Sequence, residues 1–94
     1  MTTIEAALAY VREHREEALE RYGELVAIPS ISALPEHEAD VERAAQWLVT
    51  ELVRLGVEDA SVVDVPGNPL VCGEWLGAPG KPTILVYGHY DVQP

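Results

Sequence analysis

Near its carboxyl end the chain reads Tyr87-Gly88-His89-Tyr90-Asp91-Val92-Gln93-Pro94, directly after the apolar run Ile84-Leu85-Val86. His89 and Asp91 are two residues apart, so in extended backbone their side chains point the same way. Imidazole is the commonest protein metal ligand, and a ligating histidine relies on a carboxylate or carbonyl to fix its ring. An acid at this spacing can order the histidine without binding metal itself. In α/β enzymes ligands sit beyond the carboxyl ends of the strands, which is where the apolar run would deliver this pair. One histidine and one acid do not complete a zinc site, which takes three or four ligands. The same residues equally suit a histidine that ends a strand and an aspartate that makes a turn. His14 and His37 have no comparable surroundings and read as surface residues.

The elements that must position this pair can be read from period and punctuation. Residues 2–28 predict one long amphipathic helix, opened by a capping box from Thr2 to Glu5. Its apolar stripe is Ile4, Leu8, Val11, Ala18, Tyr22, Leu25 and Val26, with glutamates opposite and Arg15 as a misfit. Glu17 and Arg21 have the spacing of a favourable helical pair. Pro29 ends the helix, and the connector Pro29-Ser30-Ile31-Ser32-Ala33-Leu34-Pro35 follows. Neither serine sits on a nucleophile elbow, so both read as linker residues. A second helix is expected over 38–55, with Val41, Ala44, Ala45, Leu48, Leu52 and Leu55 as its core stripe and Gly56 as its stop. Trp47 lies beside that stripe.

The period then shortens to that of strands. Runs at 60–65 and 70–76 flank Pro66-Gly67-Asn68-Pro69, a strong turn signal, and predict an antiparallel hairpin. Residues 83–87, with consecutive branched apolar side chains, predict a third strand covered on both faces. The expected fold class is α/β: two amino-terminal helices packed on a small mixed sheet of about three strands. Helices could cover one face of that sheet, and little chain remains for the other. Open strand edges are normally paired or protected, so the core looks unfinished.

Composition narrows the classes of partner. The 94 residues are 48% hydrophobic and 23% charged, a globular balance. Sixteen acidic against six basic residues give a net charge of −10, which disfavours nucleic acid and anionic membranes. The single cysteine, Cys72, cannot form an internal disulfide and reads as a small buried strand residue. With no basic leader and no long apolar run, the expected location is the cytoplasm.

The stretch Ile84 to Tyr87 followed by Gly88-His89-Tyr90-Asp91-Val92-Gln93-Pro94 resembles the first metal motif of the dinuclear-zinc peptidase and deacylase family. That family includes carnosine dipeptidases, carboxypeptidase G, aminoacylase, acetylornithine deacetylase and succinyl-diaminopimelate desuccinylase. The Val-Gln-Pro ending most resembles the nonspecific dipeptidase branch. Leu25-Val26-Ala27-Ile28-Pro29-Ser30-Ile31-Ser32 resembles the family's first-helix exit, and Gly73-Glu74-Trp75 also fits. The resemblance implies that residues 1–94 are the amino-terminal part of a metallopeptidase catalytic domain, without its lid and dimerisation domain. It implies His89 as a ligand of one of two zinc ions, with cobalt or manganese as alternatives, and Asp91 as an active-site acid beside it. The implied reaction is hydrolysis of a dipeptide or acyl-amino acid by metal-activated water. The bridging aspartate, the Glu-Glu pair, a further acid and a second histidine all lie beyond residue 94 in this pattern. Expectation therefore assigns the activity to a parent protein and leaves this piece inert, with no tightly bound metal. A contrasting expectation is a self-associating module that forms homo-oligomers through exposed sheet edges.

Overall fold

The computed structural model describes residues 2–94 and has the expected α/β composition, with three α-helices and one two-stranded sheet. Helix α1 spans Thr3–Glu13, α2 Arg15–Ala27 and α3 Glu38–Arg54, with a 3₁₀ turn at Pro35–His37. Strands β1 (Glu58–Val63) and β2 (Leu70–Glu74) follow. The capping box forms as the sequence indicates: the Glu5 amide donates to Thr2 Oγ1 at 3.1 Å and the Thr2 amide to Glu5 Oε2 at 2.9 Å.

The long first helix is not continuous. It breaks at His14, whose φ of −106° and ψ of 15° leave the helical basin. The His14 ring stacks on Tyr10 with centroids 4.0 Å apart, and its Nδ1 lies 2.9 Å from the Tyr10 carbonyl oxygen. That carbonyl also accepts the His14 amide at 3.0 Å, so side chain and main chain share one acceptor and the turn loosens there. The stripe residues Ile4, Leu8, Val11 and Tyr22 remain exposed. Arg21 does not choose Glu17; it reaches Glu51 on α3, with both carboxylate oxygens 2.8 Å from its Nε. Helix α2 ends at Ala27 because Ile28 precedes a proline and turns extended, at ψ 119°.

Helix α3 follows its sequence pattern from Val41 to Leu52, but Leu55, expected at the end of its core stripe, is exposed. Val41, Ala44 and Ala45 are its buried residues, and with Ile28 and Ser30 they make up the core. Gly56, at φ 87°, closes it in a Schellman motif: the Val57 amide donates to Leu52 O and the Gly56 amide to Val53 O, both at 3.0 Å. Trp47 is half-buried beside the stripe and donates its indole N–H to Glu24 at 3.3 Å. Helix α3 packs across both strands of the hairpin. The strands pair antiparallel, Val63 opposite Leu70 and Val62 opposite Val71, with an irregularity between Glu58 and Ser61 where Asp59 takes φ 53°. Gly73 sits so close to α3's exit that a Cβ there would lie 2.6 Å from Val57 Cγ1.

Three further expectations need correction. Residues 83–87 are extended but pair with no strand among the described residues, and Ile84, Leu85, Val86 and Tyr87 are 83–93% exposed. A run of branched apolar residues signals a demand for burial; a ladder also needs a partner strand, and neither hairpin edge reaches it. Cys72 is exposed rather than buried, because the hairpin is covered by α3 on one side only. His14 and His37 are half-buried, the first against Tyr10 and the second with its Nδ1 2.9 Å from Asp40 Oδ2. The radius of gyration is 15.5 Å, against about 13 Å for a compact chain of this length, because α1 and the unpaired segment 83–87 are exposed rather than packed on the core. No described helix is long and apolar enough to cross a membrane.

Candidate metal half-site

The backbone after Gly88 returns to the core and meets the connector that follows α2. Ser30, fully buried, is the point of contact. Its carbonyl accepts the Val92 amide at 3.0 Å and its Oγ donates to the Tyr90 carbonyl at 3.1 Å. These two bonds hold the peptide groups on either side of Asp91. Two short turns shape the connector, with the Ser30 amide donating to Ile28 O at 2.7 Å and the Ile31 amide to Pro29 O at 2.8 Å. They expose the Ser30 carbonyl for pairing, while Pro29 contributes no donor of its own. Tyr90 anchors the other side, its hydroxyl donating to Pro69 O in the hairpin loop at 2.6 Å. Burial and the nearby Asp91 charge raise the Tyr90 phenol above its ordinary pKa, which keeps it a donor.

With the backbone so held, the Asp91 carboxylate lies between two side chains. His89 Nδ1 is 2.7 Å from Oδ1, and Ser32 Oγ donates to Oδ2 at 2.5 Å. The Ser32 hydrogen bond, then that of His89, holds the Asp91 carboxyl below its usual range. An ionised carboxylate only accepts, so the hydrogen in the His89 contact belongs to Nδ1. Whenever the ring is neutral, Nε2 then carries the lone pair. The imidazole is exposed, with 75% of its side chain open to solvent, so that lone pair faces no competitor within the chain.

The structure thus brings His89 and Asp91 together, as their spacing suggests, and adds Ser30 and Ser32 from about sixty residues upstream. From sequence alone both serines read as linker residues. The signal that could have flagged them is a pair of small hydroxyl residues at alternating positions between two prolines, beside a buried Ile28. A deprotonated imidazole nitrogen oriented by a carboxylate suits a divalent transition metal. Among the described residues no group of three or more histidines, cysteines and acids could hold such an ion. The fit is therefore that of one ligand, His89, with Asp91 against its ring and Ser32 against Asp91. A groove between the start of α3 and the hairpin loop lies elsewhere and includes neither residue.

The chain is 34% identical over 96 residues to the Cys-Gly metallodipeptidase DUG1 of Candida albicans, covering 89% of this chain and 20% of that protein. It is 33% identical over 81 residues to the cysteinylglycine-S-conjugate dipeptidase of Corynebacterium striatum, covering 86% and 18%. It is 30% identical over 103 residues to the human Beta-Ala-His dipeptidase, covering 97% and 20%. The chain spans about a fifth of the length of the curated relatives it matches. No family model matches it, and no solved structure does.

Proposed function

Since this stretch of chain belongs with the dipeptidases over nearly all its length, we propose that it contributes one metal ligand and its orienting acid to a metal-dependent hydrolase of dipeptides. In this reading residues 1–94 form part of a catalytic domain, His89 binds a transition metal through Nε2, and Asp91 is the active-site acid that sets its ring. Zinc suits an imidazole and carboxylate set, with cobalt or manganese as alternatives. When bound, such an ion lowers the pKa of coordinated water and supplies a nucleophile at neutral pH. Asp91 holds the proton of His89 on Nδ1, and the serine connector holds Asp91. The observation that carries the reading is the Ser32–Asp91–His89 chain of hydrogen bonds ending on an exposed imidazole ring.

The remaining ligands and the proton-transferring base belong to residues outside these 94, so the isolated chain is proposed to be inert. The dipeptides Cys-Gly and β-Ala-His, taken from the relatives' names, are the substrates to try with added zinc. No turnover is expected from the purified 94-residue chain. Turnover that survives His89→Ala would overturn the assignment.

One observation favours a second reading, in which two copies pair through the exposed segment at 83–87. The net charge of −10 opposes that association over the rest of the surface. Size-exclusion chromatography separates the two, because strict monomers remove the self-associating module.

A further inference from the structure

We infer that Ser30 and Ser32 are positioning residues for His89, acting through Asp91 as a two-serine clamp that presents Nε2 outward. This deepens the proposed metal site and rests on it only for the identity of what Nε2 would bind. Ser30 acts on the main chain. Its carbonyl and hydroxyl take the two peptide groups that flank Asp91, so the Cα–Cβ bond of Asp91 leaves the backbone in one direction. Ser32 acts on the side chain. An aspartate fixed only at its backbone still rotates about χ1 and χ2, and the Ser32 hydroxyl on Oδ2 selects the rotamer that turns Oδ1 toward His89.

Ser30 meets Tyr90 and Val92 through one backbone bond and one side-chain bond, and the Ser32 hydroxyl adds a third contact at Asp91. Tyr90 sets the position of this pairing against the hairpin through Pro69. His89 makes no other hydrogen bond among the described side-chain contacts, so Asp91 is what orients its ring. The other titratable groups of the connector and its flanks, Glu36 and His37, are not hydrogen-bonded to this set; His37 pairs with Asp40.

The test is long-range proton–nitrogen NMR of the ¹⁵N-labelled 94-residue chain, at a pH where its imidazoles are neutral. The chain unfolded in urea serves as reference. In the folded chain His89 should show a protonated Nδ1 and a lone-pair Nε2. Ser32→Ala should lower the ratio of Nδ1–H to Nε2–H by about fivefold, the scale of one net hydrogen bond, toward the urea value. Ser32→Thr, which keeps the hydroxyl, should restore it. Ser30→Ala should act in the same direction if the variant folds; the exposed Ser32 variants decide the matter where it does not. An unchanged tautomer ratio in Ser32→Ala, or a wild-type ratio equal to that in urea, would overturn the clamp. Because the readout needs no metal and no turnover, its failure is distinct from failure of the metal-site reading. A tautomer that follows Ser32 while His89 proves dispensable for activity would keep the clamp and remove the ligand.

Discussion

Gly88 and His89 separate two stretches of three or four residues that behave in opposite ways. Ile84 to Tyr87 are strongly apolar and stand almost fully in solvent, whereas Tyr90 to Val92 are half-buried and tied down by hydrogen bonds. The difference teaches that the hydrophobic effect supplies a demand for burial and no address. An address comes from directional groups: the Ser30 carbonyl and hydroxyl, the Ser32 hydroxyl and the Pro69 carbonyl each take a specific atom of the second stretch. The first stretch has no such partner among the described residues. Asp91 sits on the tied side of the boundary, and His89, at the boundary itself, is held by it.

Substitutions on the two sides should therefore differ in size. Ser30→Ala should cost the most, about 1–3 kcal/mol, because it strips the Tyr90 carbonyl of its donor beside the most buried side chain of the connector. Urea denaturation of the variant checks it, and a loss under a few tenths of a kcal/mol would break the contrast. Tyr90→Phe should cost about 0.5–1.5 kcal/mol through loss of the bond to Pro69 O, and should raise hydrogen exchange at the Val92 amide. Leu85→Lys, on the bare stretch, should change the stability of this chain by less than about 0.5 kcal/mol. A large loss there would mean that the segment is covered in solution.

A third region sharpens the comparison, because it uses charge instead of neutral hydrogen bonds. Glu51 on α3 is pulled down to about 2 by hydrogen bonds from Arg54 and then Arg21, and it fastens α2 to α3. A carboxyl depressed on folding stabilises above its ordinary pKa near 4.5, and that contribution fades as pH falls from there toward 2. Both guanidinium groups reach solvent, so Glu51→Gln should cost only about 0.5–1 kcal/mol at neutral pH. The difference between wild type and Glu51→Gln should shrink on acidification over that window, as thermal melts across pH would show. A constant difference from pH 7 to pH 2 would contradict the ion-pair account.

How much of this was legible in the sequence depends on the range of each contact. Local signals held: the Thr2–Glu5 cap, the Pro29 stop, the α3 stripe as far as Leu52 and Gly56 all act within a few residues, while Leu55 at the stripe's end is exposed. The hairpin held too, because Pro66 to Pro69 encodes its turn. The break at His14 is local but subtle, a competition for the Tyr10 carbonyl that apolar periodicity does not register. Arg21 choosing Glu51 over Glu17 joins residues thirty apart. At the site, the His89–Asp91 contact was readable from a spacing of two. The clamp was not, since Ser30 and Ser32 meet Tyr90 and Asp91 across 59 or 60 residues and only the folded connector brings them there. Strand 83–87 failed for the complementary reason: its pattern is local, and pairing is not.

The most direct measurement is dipeptide hydrolysis by the product of the complete reading frame that contains these residues, assayed with and without chelator. The account predicts chelator-sensitive turnover that His89→Ala abolishes and Asp91→Asn lowers by about 10–100-fold, the scale of losing a group that orients a metal ligand. Wild-type turnover in the His89→Ala protein, with metal content unchanged, would contradict it.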